Sequence, residues 1–125
     1  NTVMKTENLC KIRNISKAIS EFENNILEVC KLSLNEAMLL CTLSKCEQIT
    51  SGELAESLGL TCSNTSKVIK SLEDKEFIER RLGKADKRQM ILSITKKGRE
   101  KLKEINSNNN IEVPDILEDI IKTIS

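Results

Sequence analysis

Apolar residues recur through the first quarter of the chain in alternating steps of three and four: Ile12, Ile15, Ile19, Phe22, Ile26 and Val29. That spacing keeps side chains on one stripe of an α-helix, so the pattern predicts a long helix over residues 7–31 with a single apolar seam. A seam that narrow suits either its own domain core or a second subunit. At the other end of the chain Pro114 can open a helix as its first residue, and Ile116, Leu117, Ile120, Ile121 and Ile124 fall on one face of it. A helix of about a dozen residues does not stabilise itself in water, so this isoleucine face must dock on something. The first helix and its symmetry mate are the expected surface, which makes a two-fold dimer built from both chain ends.

Between the ends, the polar positions read as helix starts. Ser33 with Glu36 and Thr50 with Glu53 each have the spacing of a capping box, in which a hydroxyl and a carboxylate satisfy backbone N–H groups of the first turn. The first opens a helix through Ala37, Leu40 and Leu43 that ends near Lys45. The second opens a short helix over residues 51–58, with Leu54, Ala55 and Leu58 inward and Gly59 as its stop. Thr61 then has N-cap chemistry for a helix over residues 61–75, in which Thr65, Val68, Ile69 and Leu72 sit at core spacing. The outer face of that helix carries Ser63, Ser66, Lys67, Lys70 and Asp74. Two β-prone runs follow, residues 77–81 and 89–94, separated by Leu82, Gly83, Lys84, Ala85, Asp86, Lys87 and Arg88, a hairpin with a basic tip. Thr95 caps a last basic helix over residues 96–106. The expected fold is mainly α with a small β-hairpin: a helix-turn-helix followed by a wing, with its core over residues 34–97.

Composition changes this picture in three ways. The chain has 125 residues, no Trp or Tyr, and only Phe22 and Phe77 as aromatics, so one domain-sized core must be packed with aliphatic side chains. The net charge of +1 hides an asymmetry: residues 61–103 hold thirteen Lys and Arg against six Asp and Glu, a net +7 balanced by −6 elsewhere. A basic module beside a serine-bearing helix start suits a polyanion. A small, polar helix end followed by lysines matches hydroxyls near base edges and ammonium groups near phosphates in the major groove, and a narrow minor groove attracts arginine from a wing.

Several classes are set aside. There is no histidine, no glycine loop that could cradle a phosphate, and no C-x-x-C pair among Cys10, Cys30, Cys41, Cys46 and Cys62, so no catalytic residue, metal site or cofactor is expected. The odd set of cysteines reads as reduced thiols, mostly packed as small hydrophobes. No apolar run approaches the length of a membrane span and no signal peptide begins the chain, so the protein is expected in the cytoplasm without a membrane partner.

Residues 54–100 resemble the MarR family of bacterial winged helix-turn-helix regulators. The resemblance rests on Leu54-Ala55, Leu58-Gly59, the serine-bearing helix Ser63 to Leu72, Ile78-Glu79-Arg80, Asp86-Lys87-Arg88, and Ile94-Thr95-Lys96-Lys97-Gly98. It implies a transcription regulator, a repressor by expectation, that binds a pseudo-palindromic double-stranded DNA operator as a homodimer. It also implies that Arg88 looks into the minor groove while Asp86 helps hold the wing, and that the terminal helices make the dimer. The expected DNA contacts are Thr61, Ser63, Asn64, Ser66, Lys67, Lys70, Arg80, Lys84, Asp86, Lys87 and Arg88. The expected organisation is an N-terminal dimerisation helix in residues 1–32, the winged core in 33–98, and C-terminal helices in 99–125 that complete the interface. One departure is Glu76, where the family usually has a glycine ending the third helix, so a strained or reshaped turn is expected there. A second is a shortened C-terminal helix. Two other readings stay open: a winged helix used only to bind proteins, and a thiol-based oxidant sensor using Cys10. A small-molecule effector is also left open as a partner.

Overall fold

In a computed structural model, residues 3–46, 48–85 and 88–125 are described, and the caps anticipated from sequence organise much of what they form. The chain runs α1 (Thr6–Cys30), α2 (Leu34–Lys45), β1 (Ile49–Thr50), α3 (Ser51–Leu58), α4 (Cys62–Asp74), β2 (Ile78–Leu82), β3 (Met90–Ile94), α5 (Lys96–Ser107) and α6 (Asp115–Ile124). Two units are distinguishable, Leu34–Asn108 and a second made of Asn1–Ser33 with Asn109–Ser125.

In the first unit, α3 opens with both halves of its capping box. The Thr50 hydroxyl accepts from the Glu53 N–H at 3.2 Å, and the Glu53 carboxylate accepts from the Thr50 N–H at 3.3 Å. Gly59 ends the helix in the left-handed region at φ 67°, a conformation a residue without Cβ adopts at no steric cost. Two residues later the Thr61 hydroxyl accepts from the Asn64 N–H at 3.0 Å and starts α4. The tight α3–turn–α4 corner follows from these local signals.

The core of this unit is aliphatic, as the lack of aromatics requires. Leu39, Leu40 and Leu43 of α2, Leu54 of α3, Leu72 of α4 and Leu92 of β3 are each 1% exposed or less. The strands form an antiparallel sheet in the order β1-β3-β2, with Ile78 opposite Ile94, Leu82 opposite Met90 and Ile49 opposite Leu92. β1 was not anticipated, because two residues show no alternation. α5 packs on α2 and falls within this unit, which runs to Asn108.

The turn from α4 into β2 is held from the far side of the sheet. Glu76 has φ 66°, so a residue with a side chain takes the left-handed conformation for which glycine is suited. The cost is about 1 kcal/mol. Opposing it, the Thr95 hydroxyl donates to the Glu76 carbonyl at 2.7 Å and the Thr95 N–H donates to the Phe77 carbonyl at 3.0 Å. Thr95 also caps α5, accepting from the Gly98 N–H at 3.0 Å. Gly98 lies so close to this turn that a Cβ there would stand 2.2 Å from the Phe77 carbonyl oxygen and 2.7 Å from Ile94 Cγ1. The Thr95-Lys96-Lys97-Gly98 run is therefore a clasp on the end of α4, with the glycine needed for close approach.

In the second unit α1 and α6 pack together, and the Asn25 Oδ1 accepts from the Glu112 N–H at 2.8 Å. Lys31 ends α1 at φ 60°, its N–H bonded to the Leu27 carbonyl. Pro114 is the N-cap of α6 rather than its first residue: its ψ of 143° is extended, and its carbonyl accepts from Leu117 and Glu118. Ala18, Ile26 and Cys30 are buried, whereas Ile12, Ile19, Ile116, Ile120, Ile121 and Ile124 are exposed in the single chain. The expectation of mostly packed thiols fails: Cys30 alone is buried, and Cys10, Cys41, Cys46 and Cys62 are exposed. Those four fall on the outward sides of their helices or at helix ends, positions that side-chain hydrophobicity does not decide. No described helix is long and apolar enough to cross a membrane.

Candidate nucleic-acid interface

The outer face of α4 is chemically divided. Its inward face holds Thr65, Ile69 and Leu72, which leaves Thr61, Cys62, Ser63, Asn64, Ser66 and Lys67 exposed on the first two turns. No acidic residue occurs between Thr61 and Leu72. The unpaired N–H groups of a helix start add positive potential to this end. Small hydroxyl and amide side chains, a cation one turn along and a positive helix end form a surface that can meet a polyanion and hydrogen-bond to what lies between its charges.

Lys70, Lys75 and Arg80, at the other end of α4 and just beyond it, have carboxylate partners. Lys70 Nζ lies 3.9 Å from Asp74, both well exposed, a pairing worth little in water. Lys75 Nζ lies 2.7 Å from Glu36 Oε2. Arg80 Nε lies 2.9 Å from both carboxylate oxygens of Glu73, and its Nη2 bonds one of them as well. The hydrogen bonds that Arg80 donates to the Glu73 carboxylate raise its pKa above the ordinary value. Arg80, expected among the DNA contacts, thus spends its guanidinium on tying β2 to the last turn of α4. Strand alternation explains the placement: Arg80 stands opposite buried Leu92, whereas Arg81 stands opposite Ile91 on the other side of the sheet.

The hairpin tip is closed by the Gly83 N–H bonding to the Gln89 carbonyl at 2.9 Å. Lys84 and Arg88 are exposed on it, and Arg81, which the sequence reading did not single out, is exposed at its base. A cleft of about 320 Å³ under the tip is lined by Gln48, Arg81, Leu82, Lys84, Gln89 and Ile91, among others. Asp86 and Lys87, expected to hold the wing and contact DNA, lie outside the described residues. The doubled arginine at 80 and 81 was the available signal for Arg81, since a strand sends neighbouring side chains to opposite faces.

Glu36 is the other residue whose role the sequence concealed. Read from sequence as the second half of a capping box, it is 7% exposed and also bonded to the side chains of Ser71 and Lys75. Among the described residues, no group of His, Cys, Asp and Glu could hold a metal ion.

Comparison with known proteins places this geometry among relatives. The MarR family model matches residues 32–90. The uncharacterized HTH-type transcriptional regulator YdcH of Bacillus subtilis strain 168 is 32% identical over 90 residues, covering 72% of this chain and 58% of that protein. The chain therefore spans somewhat over half the length of that relative. Among solved structures, the transcriptional regulator BldR of Sulfolobus solfataricus is 27% identical with a TM-score of 0.69, over 97% of this chain and 98% of that one. The Staphylococcus aureus MepR–DNA complex matches at 21% identity with a TM-score of 0.73, over 98% of this chain and 83% of MepR, a likeness of fold. The fold is a winged helix-turn-helix, with α3 and α4 as the two helices and the β2–β3 hairpin as the wing.

Proposed function

We propose, from the match of the MarR family model to residues 32–90, that the chain is a sequence-specific, double-stranded-DNA-binding transcription regulator, acting as a homodimeric repressor on a pseudo-palindromic operator. The observation that carries this reading is the first half of α4, where Ser63, Asn64, Ser66 and Lys67 stand exposed with no acidic neighbour on the helix until Glu73. In the major groove, the hydroxyl and amide groups meet base edges while Lys67 and Lys70 meet phosphates. The wing, residues 82–88, reaches the minor groove with Lys84 and Arg88. Relatives support the reading by name, YdcH and BldR as transcriptional regulators and MepR as a protein solved on DNA.

The dimer rests on the terminal helices. Ile12, Ile15, Ile19 and Phe22 on α1, with Ile116, Leu117, Ile120, Ile121 and Ile124 on α6, are exposed or half-buried in the single chain. A monomer rarely leaves so contiguous an aliphatic surface in water. A two-fold dimer carries two copies of α4, which suits two inverted half-sites on a duplex.

Selection of bound sequences from a random duplex pool, with light scattering of the same protein, tests both parts. The expected outcome is a dimer that enriches two inverted half-sites, with centres about 10 base pairs or a multiple of that apart. A folded monomer near 14.1 kDa, or a pool with no enriched sequence, overturns the reading.

A further inference from the structure

Glu36 is a carboxylate in a place where a carboxylate is costly. It sits on α2 between the leucines of the core and is nine-tenths buried, so its charge must be matched by donors or it would destabilise the fold. The donors come from α4: the Ser71 hydroxyl at 2.9 Å and the Lys75 ammonium at 2.7 Å, both on Oε2. Ser71 and Lys75 are four residues apart, so a single oxygen atom grips two successive turns of the helix that carries the DNA-reading face.

Other directional ties, Arg80 on Glu73 and Thr95 on Glu76, join the end of α4 to the sheet, but against α2 the rest of the described packing is apolar. Ile69 and Leu72 are buried apolar side chains, and a contact of that kind is proportional to area with little preference for angle. Thr65, the other buried residue of this face, turns its hydroxyl back to the Thr61 carbonyl of its own helix at 2.8 Å. Apolar packing alone would allow α4 to roll or slide on α2 at small cost. The two bonds to Glu36 define one roll and one register. A binding constellation must be held to within about 0.5 Å to be productive, so this restriction bears directly on base readout.

We propose that Glu36 is a positioning residue for sequence readout: through Ser71 and Lys75 it sets the roll and register of α4, and its contribution is to specificity more than to stability. The inference rests on the DNA-binding reading above. A buried ion pair exchanged for apolar side chains of similar size is often neutral or stabilising, whereas removing one partner is strongly destabilising. Stability and positioning can thus be separated by experiment.

The parent protein, Lys75→Met, the double variant Glu36→Met with Lys75→Met, and Ser71→Ala are compared by thermal midpoint. Each is also titrated on the selected operator and on scrambled duplex, and the ratio of the two dissociation constants is taken. Using the ratio cancels any phosphate contact that Lys75 itself makes, because such a contact strengthens both duplexes alike. Lys75→Met should lower the thermal midpoint by leaving the buried Glu36 carboxylate without its cation. The double variant should regain most of that loss, yet its specificity ratio should fall about tenfold. Ser71→Ala removes one of the two bonds without stranding a charge, so it should fold like the parent and lose about threefold in ratio. A parent-like ratio in a double variant with restored midpoint overturns the proposal, and if that variant does not fold, a parent-like ratio in Ser71→Ala does so alone. A parent protein that selects no sequence overturns this proposal together with the DNA-binding reading, whereas a selective parent with equally selective variants overturns this one only.

Discussion

The two halves of α4 differ in what their charges do. On the first half, Ser63, Asn64, Ser66 and Lys67 are exposed and, among the described residues, no carboxylate is paired with them. Around the second half and the turn beyond it, Lys70 has Asp74, Lys75 has Glu36, Arg80 has Glu73, and Lys97 reaches Glu76 at 3.8 Å while standing 5.5 Å from the centre of the Phe77 ring. On the proposed function, one end of the helix is left to meet DNA and the other is fastened to its own domain. A reading surface must give its hydrogen bonds to a ligand, and a fastening must give them to the protein, so a single short helix divides the two tasks along its length. A sum of basic residues over the region counts both ends alike and misses that division.

The largest effect should come from the fastened end. Gly98→Ala puts a Cβ against the Phe77 carbonyl, where backbone rather than a flexible side chain must give way. Unfolding in urea should show a loss of about 3 kcal/mol, at the upper end of what overpacking costs. A midpoint equal to the parent's would mean that the Thr95-to-Gly98 clasp is looser than described. On the reading side, Arg88→Ala should weaken operator binding by about 1 to 3 kcal/mol and relax preference at the operator flanks. Equal titrations on operator and scrambled DNA, matching the parent on both, would remove the wing from the interface.

The comparison is sharpened by Lys67→Ala beside Lys70→Ala. Each removes one exposed cation, but Lys70 already has Asp74 beside it and Lys67 does not. Lys67→Ala should flatten the plot of log affinity against log salt by about 0.9 per subunit, and Lys70→Ala by less. Equal slopes would show that the Asp74 pairing gives way entirely on DNA. The smallest effect is expected at the turn: Glu76→Gly relieves a left-handed residue at the cost of an exposed pair to Lys97. Denaturation should show a gain of about 0.5 kcal/mol, with operator affinity unchanged. A loss of stability would indicate that the Glu76 side chain, and not only its carbonyl, holds the turn.

Much of the fold was legible because its signals are local. The Thr50-Glu53 box, the Gly59 stop and the Thr61 and Thr95 caps each join groups within a few residues, so the sequence places them side by side before any folding occurs. Helical periodicity over residues 61–75 is likewise a property of the segment itself, and it assigned the exposed and buried faces of α4 correctly. The strained turn at Glu76 was legible for the same reason, since φ is a property of one residue and its neighbours.

What the chain's own order could not reveal depends on partners distant in sequence. Glu36 meets Ser71 and Lys75 across 35 and 39 residues, and nothing around Glu36 distinguishes it from an ordinary capping carboxylate. Arg80 and Arg81 are chemically identical until a sheet puts one beside Glu73 and the other on the opposite face. β1 is a strand only because β3 lies next to it, and exposure of four cysteines follows from which side of each element the core happens to occupy. Periodicity and capping are short-range and therefore written in the sequence. Which charge is fastened and which is left to bind is settled by long-range proximity, because an electrostatic or hydrogen-bonding partner acts through space and carries no mark along the chain.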